Sequence, residues 1–348
     1  MRLCEAPEAQ LSAGDTPAEN CHDSGDEMYL RVEYTETEEG ICVCRCYGYE
    51  DVLVIPEEIL GRPVTALYDY ALSSSSPRKE PQQVRQIVLN EEEQGFAGEQ
   101  VLAGEFLKEV YLPASLKRIG DYAFYMCRNL HTIHFRGELE YLGGGAFVWC
   151  RGLSRLTFCQ VPREGHGIYS VLAELTQELE TEIQWDDGTK LCLTVPEYYE
   201  ESVENTPARI IDIHWHGSGY KYRQCFSGGR LDFRHYDELF PYAVANEFPG
   251  TCISLALNRL RMPVQLSDTA REAYTAFLRE HMEELLRKAV QEEDLETVRF
   301  LALEGLLGRE DVEQAAELAA RRQSAEIGSF LMDYQREHFR PKKKTFEL

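Results

Sequence analysis

The sequence lacks several features that would each point to a particular class of protein. No stretch reaches the ~18 uninterrupted apolar residues of a membrane-spanning helix. The run Met1–Cys4 is followed by acidic and small residues rather than by an apolar secretory segment, so we expect a cytoplasmic protein. Basic residues are few: 36 Lys and Arg face 60 Asp and Glu, which leaves a formal net charge of −24. Such a charge repels phosphate groups, so neither nucleic acids nor membranes are expected as partners.

The cysteines do not form the pattern of a secreted scaffold. There are 11, an odd number, scattered over 348 residues. We expect reduced thiols that pack as small apolar groups, including Cys42, Cys44 and Cys46 on one face of a predicted strand. A soft-metal site on these three is disfavoured, because neighbouring side chains on one face of an extended strand sit too far apart to share an ion easily.

With 43% hydrophobic residues, the chain is long enough for two or three domains.

A repeat with a period of 23 residues is the clearest positive signal. The strand pattern L-x-x-L-x-L begins at Leu107, Leu130 and Leu153, and a similar pattern, Val84–Leu89, lies one period earlier. A fixed period of about 20–29 residues with this strand pattern indicates leucine-rich repeats. One turn of such a repeat cannot bury its apolar face alone, and stacked turns build a continuous core.

Other positions keep the same register and predict the residues of that core. Phe124 and Cys127 recur one period later as Phe147 and Cys150, so all four are assigned to the core. A weaker copy of the segment around Phe124 occurs earlier, at Leu67–Leu72, where a serine-rich loop breaks the spacing.

These motifs resemble those of a known family. The run Ile119–Leu130, with Ile55-Pro56 and Gly61–Thr65 upstream, is similar to the BspA-type leucine-rich repeats of bacteria over about residues 30–160. The resemblance implies a solenoid fold and a general binding role. BspA-like proteins are often surface-exposed adhesins, but adhesion is not carried over to a chain without an export segment. An exported adhesin stays open as an alternative if the natural N-terminus lies upstream of Met1.

The rest of the chain predicts an α+β fold with further parts after the solenoid. A hairpin pattern at 181–195 and a helix at 252–261 indicate a small mixed α/β module. The last segments echo each other at an offset of 30 residues, with Ala289 matching Ala319, and are similar to degenerate ankyrin repeats; an ordinary helical bundle is the alternative. The expected divisions are a disordered acidic N-terminus (1–26), a solenoid with an N-terminal β-hairpin cap (27–160), the mixed module (161–265), a helical repeat-like region (266–340) and a basic tail (341–348).

The solenoid also predicts the site. In L-x-x-L-x-L strands the x residues point away from the core, and stacked strands line them up about 4.8 Å apart. The two expected columns on the concave face are Gln86, Glu109, Thr132 and Arg155, and Val88, Tyr111, His134 and Thr157. No catalytic motif and no cofactor motif rises above background. We therefore expect a non-catalytic adaptor that binds an unidentified protein through this face.

A second hypothesis places function in residues 161–265. His214 and His216 share one face of a predicted strand, so both imidazoles could face one ion. Cys225, Asp232 or His235 could supply further ligands to a site of the zinc type. This motif is an isolated H-x-H, and a structural role for the two histidines is favoured. The alternative is a ligand- or metal-binding module, with enzymatic activity open, and the metal content of the purified chain distinguishes it from the adaptor.

Overall fold

The computed structural model of the chain describes residues 29–76, 79–90, 98–205 and 210–339. The predicted disordered N-terminus (1–26) and basic tail (341–348) lie outside the described residues. Contacts divide the chain into a first unit that ends at Gly152 and a second unit that begins at Leu153. The finer division predicted from the sequence stays a prediction.

The first unit begins with the predicted hairpin. Strands β1 (Leu30–Glu36) and β2 (Ile41–Gly48) pair antiparallel, and their inward side chains are buried. Gly40 precedes β2 at a point where a side chain would collide with the carbonyl oxygen of Pro63, so only glycine fits. The three cysteines of β2 are buried, which confirms the packing role expected for them.

Short strands then alternate between two parallel stacks. The remaining strands of the first unit are β3 (Val52–Val54), β4 (Glu58–Ile59), β5 (Arg62–Leu67), β6 (Arg85–Leu89), β7 (Gln100–Val101), β8 (Glu109–Tyr111), β9 (Arg118–Ile119), β10 (Thr132–Arg136) and β11 (Tyr141–Leu142). One stack joins β5, β9 and β11, and the other joins β3, β8 and β10. Val110 pairs with Ile133, and Ile119 with Leu142, so the 23-residue period seen in the sequence is the register of the stack.

The predicted core residues fill the space inside these turns. Phe124 and Phe147 are buried, and their rings stack with centroids 5.2 Å apart. The thiols of Cys127 and Cys150 donate to the carbonyl oxygens of Leu72 and Phe124, each in the turn before. Aromatic stacking and satisfied buried donors both favour this one register. The core assignment is confirmed.

The strand predicted as the first rung of the concave face lies elsewhere. Residues Arg85–Leu89 (β6) pair antiparallel with β1, and Val32 lies opposite Ile87. The parallel neighbour of β8 is instead β3, with Leu53 opposite Val110. The alternating pattern of Val84–Leu89 fits any half-buried strand. In the structure, β6 pairs with the free edge of the hairpin.

Successive turns are also joined by hydrogen bonds and close backbone contacts in the segments that contain Asp69, Asp121 and Gly144. The carboxylate of Asp69 accepts a hydrogen bond from the backbone N–H of Asp121 at 2.9 Å. One turn later, the carboxylate of Asp121 accepts from Gly144 N–H, also at 2.9 Å. A side chain at Gly120 or Gly143 would meet the backbone of the preceding turn. Glycine at these two positions therefore allows the approach that the aspartate bonds require.

The second unit starts with three paired strands. Strand β12 (Arg155–Val161) pairs in parallel with β13 (Leu179–Trp185), and β13 forms the predicted hairpin with β14 (Lys190–Val195). Helix α1 (Gly167–Glu174) connects β12 to β13. In chain order, the turns of β-solenoid span about residues 41–185, roughly six in all.

A separate two-stranded sheet and a helical region follow. Strands β15 (Tyr199–Asn205) and β16 (Ile210–His216) pair antiparallel. The helices are α2 (Gly219–Gln224), α3 (Phe233–Glu238), α4 (Phe240–Asn246), α5 (Pro249–Arg261), α6 (Asp268–Glu280), α7 (Met282–Gln291), α8 (Leu295–Leu303), α9 (Arg309–Arg322) and α10 (Ala325–His338), with a short 3-10 turn at Ser227–Gly229. None of the described helices is long and apolar enough to span a bilayer.

The last four helices repeat a helix–turn–helix unit with the period of 30 residues noted in the sequence. The turn residues Glu293 and Gln323 both have left-handed backbones, with φ of 57° and 62°. Ala289 and Ala319 are both buried, and each carbonyl accepts a hydrogen bond from the residue that precedes the next helix. The helical region is confirmed, and its kinship with ankyrin repeats stays a prediction.

Two buried arginines hold the second unit together. Arg259 on α5 forms two hydrogen bonds to the carboxylate of Asp237 on α3, and the hydroxyl of Tyr274 on α6 donates to the same carboxylate. Arg223 has no acidic partner among its hydrogen bonds; it donates to five backbone carbonyl oxygens, which include those of Leu175 and Pro196. Burial lowers the pKa of Arg223 to about 10. Buried charges are costly unless they are paired and hydrogen-bonded, so the bonds that these two arginines make favour one arrangement of these segments.

The glycine contacts yield a paired test of the stack. We expect Gly143→Ala to lower the free energy of unfolding by about 1–3 kcal/mol, because the new methyl group overlaps backbone atoms of the preceding turn. Gly144→Ala, at the next residue, meets nothing within 4 Å and should change stability by less than about 0.5 kcal/mol. Urea unfolding of both variants measures the difference, and equal stability of the two would contradict the close-contact account.

Candidate functional site

Four of the predicted site residues come together in the first unit. On neighbouring strands β8 and β10, Glu109 lies opposite Thr132 and Tyr111 lies opposite His134. On each strand, the residue between the two outward-facing ones points into the core. On β8 this residue is Val110, which is fully buried. All four outward side chains are half-buried. The alternation predicted from L-x-x-L-x-L therefore places these side chains on one face.

Three of them form a connected group, which we call the Tyr–His–Glu cluster: Glu109, Tyr111 and His134. The rings of Tyr111 and His134 stack almost parallel, with centroids 4.0 Å apart and an interplanar angle of 5°. The hydroxyl of Tyr111 donates to Oε1 of Glu109 at 2.8 Å. Nε2 of His134 lies 2.7 Å from the same oxygen. One carboxylate oxygen thus orients both rings.

The neighbours of this cluster differ from those predicted. Val52 lies opposite Glu109 and Val54 opposite Tyr111, in the places expected for Gln86 and Val88. Gln86 and Val88 are on β6, which pairs with β1, so their assignment to the columns is wrong. A sequence signal for β3 did exist. Ile55-Pro56 follows β3 as Leu112-Pro113 follows β8. We call Val52, Val54, Glu109, Tyr111, Thr132 and His134 the first-unit face.

Charged side chains lie at one end of this face. Arg136, the last residue of β10, forms an ion pair with Glu57, whose Oε1 lies 3.1 Å from the arginine Nη1. Glu57 also accepts a hydrogen bond from the backbone N–H of Ala114. The pair is about half exposed, so it adds little to stability and leaves charge available to a ligand.

The other two predicted residues, Arg155 and Thr157, belong to the second unit. Arg155 is exposed and forms an ion pair with Glu180 on β13, with 3.5 Å between nitrogen and oxygen. Thr157 is only 8% exposed, so the expectation that it faces solvent is wrong. Its short side chain stands directly across from the longer Glu182 on β13.

Glu182 is a half-buried carboxyl group that the sequence pattern did not single out. Burial raises its pKa above the ordinary value for glutamate, Arg155 and Lys190 oppose that shift, and Glu180 adds to it. A carboxyl group with this environment favours its neutral form more in the folded protein than in the unfolded chain. The only sequence signal is its place on an alternating strand beside Glu180.

The structure does not gather the residues of the predicted zinc-type site. Nε2 of His216 lies 2.8 Å from a carboxylate oxygen of Glu201, and its ring stacks on Tyr199. His214 lies opposite Glu201 in the strand register. Cys225 is buried and donates to the carbonyl oxygen of Lys221 in helix α2, while His235 is exposed on α3. Within the described ranges, no group of three or more His, Cys, Asp or Glu residues could hold a metal ion.

A second group of aromatic residues lies on the first unit, and we call it the tyrosine cluster: Tyr70, Tyr122 and Tyr125. The rings of Tyr70 and Tyr122 stack with centroids 5.1 Å apart, and Tyr125 meets both rings edge-on. Tyr70 and Tyr122 have left-handed backbones, with φ of 60° and 53°. The same position one turn later is Gly145, with φ of 64° and the ring of Tyr122 beside it. The two tyrosines thus occupy sites where glycine carries no strain.

Comparison with known proteins supports the fold and one broad role. Residues 86–169 match the family model described as a BspA type leucine rich repeat region, in six copies, so the resemblance seen in the sequence is confirmed for this segment. The match covers less than half of the chain. Neither the curated proteins nor the solved structures gave a significant match to this chain. Leucine-rich-repeat domains are generally protein-interaction modules and are typically non-enzymatic.

Because the pKa of Glu182 is raised, the effect of replacing this residue on thermal stability should depend on pH. The folded-state pKa is raised, so the stabilising effect of the neutral carboxyl is present at low pH and is lost as pH rises through that pKa. We expect Glu182→Gln to unfold at a higher temperature than the parent near pH 7. The gain should shrink toward about pH 4, where the parent carboxyl is also neutral. Melting curves across this range measure it, and a variant that is less stable near pH 7 would contradict the assignment.

Proposed function

We propose that this chain is a non-catalytic protein-interaction protein, an adaptor that binds a polypeptide partner through the first-unit face. The observation that carries the proposal is the Tyr–His–Glu cluster. A stacked and hydrogen-bonded pair of rings is already ordered before a ligand arrives. Binding to it therefore costs little side-chain entropy, and aromatic side chains supply much contact area.

The charge of the face indicates the kind of partner. Glu109 is part of the cluster, Glu57 and its ion-pair partner Arg136 lie at the end of the face, and the whole chain has a net charge of −24. A partner segment with Lys or Arg side chains is attracted to such a surface, while acidic segments are repelled. The proposed ligand is therefore a basic polypeptide segment. Its apolar side chains would contact Val52 and Val54.

The repeat architecture supports a binding role over catalysis. Solenoids grow by adding turns, and each turn presents outward side chains at the fixed spacing of the sheet. Such a surface recognises an extended or flat partner, whereas catalysis needs converging groups in a water-excluded cleft.

We propose a cytoplasmic location from the sequence. If an export segment precedes Met1, the same face would act in adhesion.

Side-by-side capture tests the proposal. We expect a partner that the parent chain retains from a lysate of the source cells to fall by about tenfold or more with Tyr111→Ala/His134→Ala, because aromatic anchors dominate interface energies. The matched control is Tyr70→Ala/Tyr125→Ala in the tyrosine cluster, which should capture the same partner as the parent. Quantitative mass spectrometry reads the ratio.

A second variant separates loss of binding from loss of folding. Thr132→Arg adds bulk and positive charge beside Glu109 and removes no member of the cluster, so capture of a basic partner should also fall. All variants are compared by thermal melting before capture. Equal capture by the parent, the cluster variant and Thr132→Arg would place the binding surface elsewhere.

A further inference from the structure

The sheet formed by β15 and β16 stands out from the rest of the second unit. Among the described residues, this sheet consists of these two strands alone. Both sides of the sheet are exposed, including large apolar side chains: Ile211 is 65% exposed, Ile213 is 52% exposed and Trp215 is 36% exposed. A two-stranded sheet is marginally stable in water, and its open edges are templates for a further strand.

The exposed apolar residues share one side of this sheet. Alternation along β16 puts Ile211, Ile213 and Trp215 on one face and Asp212 and His214 on the other. The indole of Trp215 packs against the rings of Tyr198 and Tyr220. The two isoleucines have no such cover in the described structure and stay largely exposed.

The two edges of the sheet differ in charge. Strand β15 carries Glu200 and Glu201, and acidic side chains on an edge strand discourage pairing with a second acidic edge. Strand β16 has the sequence Ile-Ile-Asp-Ile-His-Trp-His, with one acidic residue beside two histidines. The β16 edge is therefore the one suited to accept another strand.

We propose that β16 pairs antiparallel with β16 of a second copy of this chain, about a twofold axis at Ile213. In this register Ile213 meets its own equivalent, Asp212 lies opposite His214 of the second copy, and Ile211 lies opposite Trp215 of the second copy. Each of the last two pairs occurs twice because of the symmetry. Cross-strand pairs of an acidic with a basic residue, and of an aromatic with a β-branched residue, are both stabilising.

Neighbouring registers are poorer. An axis at Asp212 would place two carboxylates opposite each other. An axis at His214 would place the two imidazoles opposite each other and leave Ile211 facing Gly217. The Ile213 register is the one that places each carboxylate opposite an imidazole and joins the apolar side chains of both copies into one row. It converts two marginal hairpins into a four-stranded sheet with β16 at its centre.

Sedimentation equilibrium of the full chain over a range of concentrations tests the proposal. We expect a reversible monomer–dimer equilibrium for the parent. His214→Glu puts two acidic pairs across the axis and should raise the dimer dissociation constant about tenfold or more. Asp212→Lys removes both favourable pairs and should also raise it. The combination Asp212→Lys with His214→Glu restores opposite charges and should return the constant toward that of the parent.

The matched control is Ser202→Lys on β15, which lies opposite Ile213 within one copy but away from the new edge. It should dimerise like the parent, and melting curves must agree among all variants. A parent that stays monomeric at every concentration overturns the proposal. So does a dimer that the single variants leave unchanged or that the double variant fails to restore, since the contact then lies on another surface. Partner capture through the first-unit face is measured separately and depends on neither result.

Discussion

The parallel register between successive turns is the constraint on which the rest of the first unit depends. It is set by backbone approach at Gly120 and Gly143, by the aspartate bonds beside them, and by stacked rings inside. A shift of one residue would turn every inward side chain to the outside. Because the register holds, Tyr111 and His134 lie across from each other. The proposed site is thus a direct product of the stack.

Much of this followed from the sequence, because a solenoid repeats its physical solution every turn. The period located the strands β8, β10 and β12, the buried Phe124 and Phe147, and the outward positions of Tyr111 and His134. Alternation along a strand, however, does not identify the strand's partner. Val84–Leu89 fits the pattern of a rung and is paired with the hairpin instead. Long-range pairing of this kind has no local signature.

The second unit shows what periodicity cannot reveal. Arg223 and Arg259 are among its most buried side chains, although arginine is ordinarily a surface residue. Each is held by acceptors that lie far away in the sequence, such as Asp237 for Arg259 and the carbonyl of Leu175 for Arg223. Such partners depend on how the helices and strands come together. Similarly, the strand register brings Tyr111 and His134 side by side, while their hydrogen bonds to Glu109 depend on side-chain rotamers that the sequence pattern does not determine.

The central claim is that a partner binds the first-unit face. Hydrogen–deuterium exchange of the chain, alone and with the captured partner at saturation, tests it most directly, because exchange reports burial segment by segment. The account predicts slower exchange in peptides that contain Glu109–Tyr111 and Thr132–Arg136, with no change around the tyrosine cluster. Protection confined to the tyrosine cluster or to helices α7–α10, with these two strands unchanged, would contradict it.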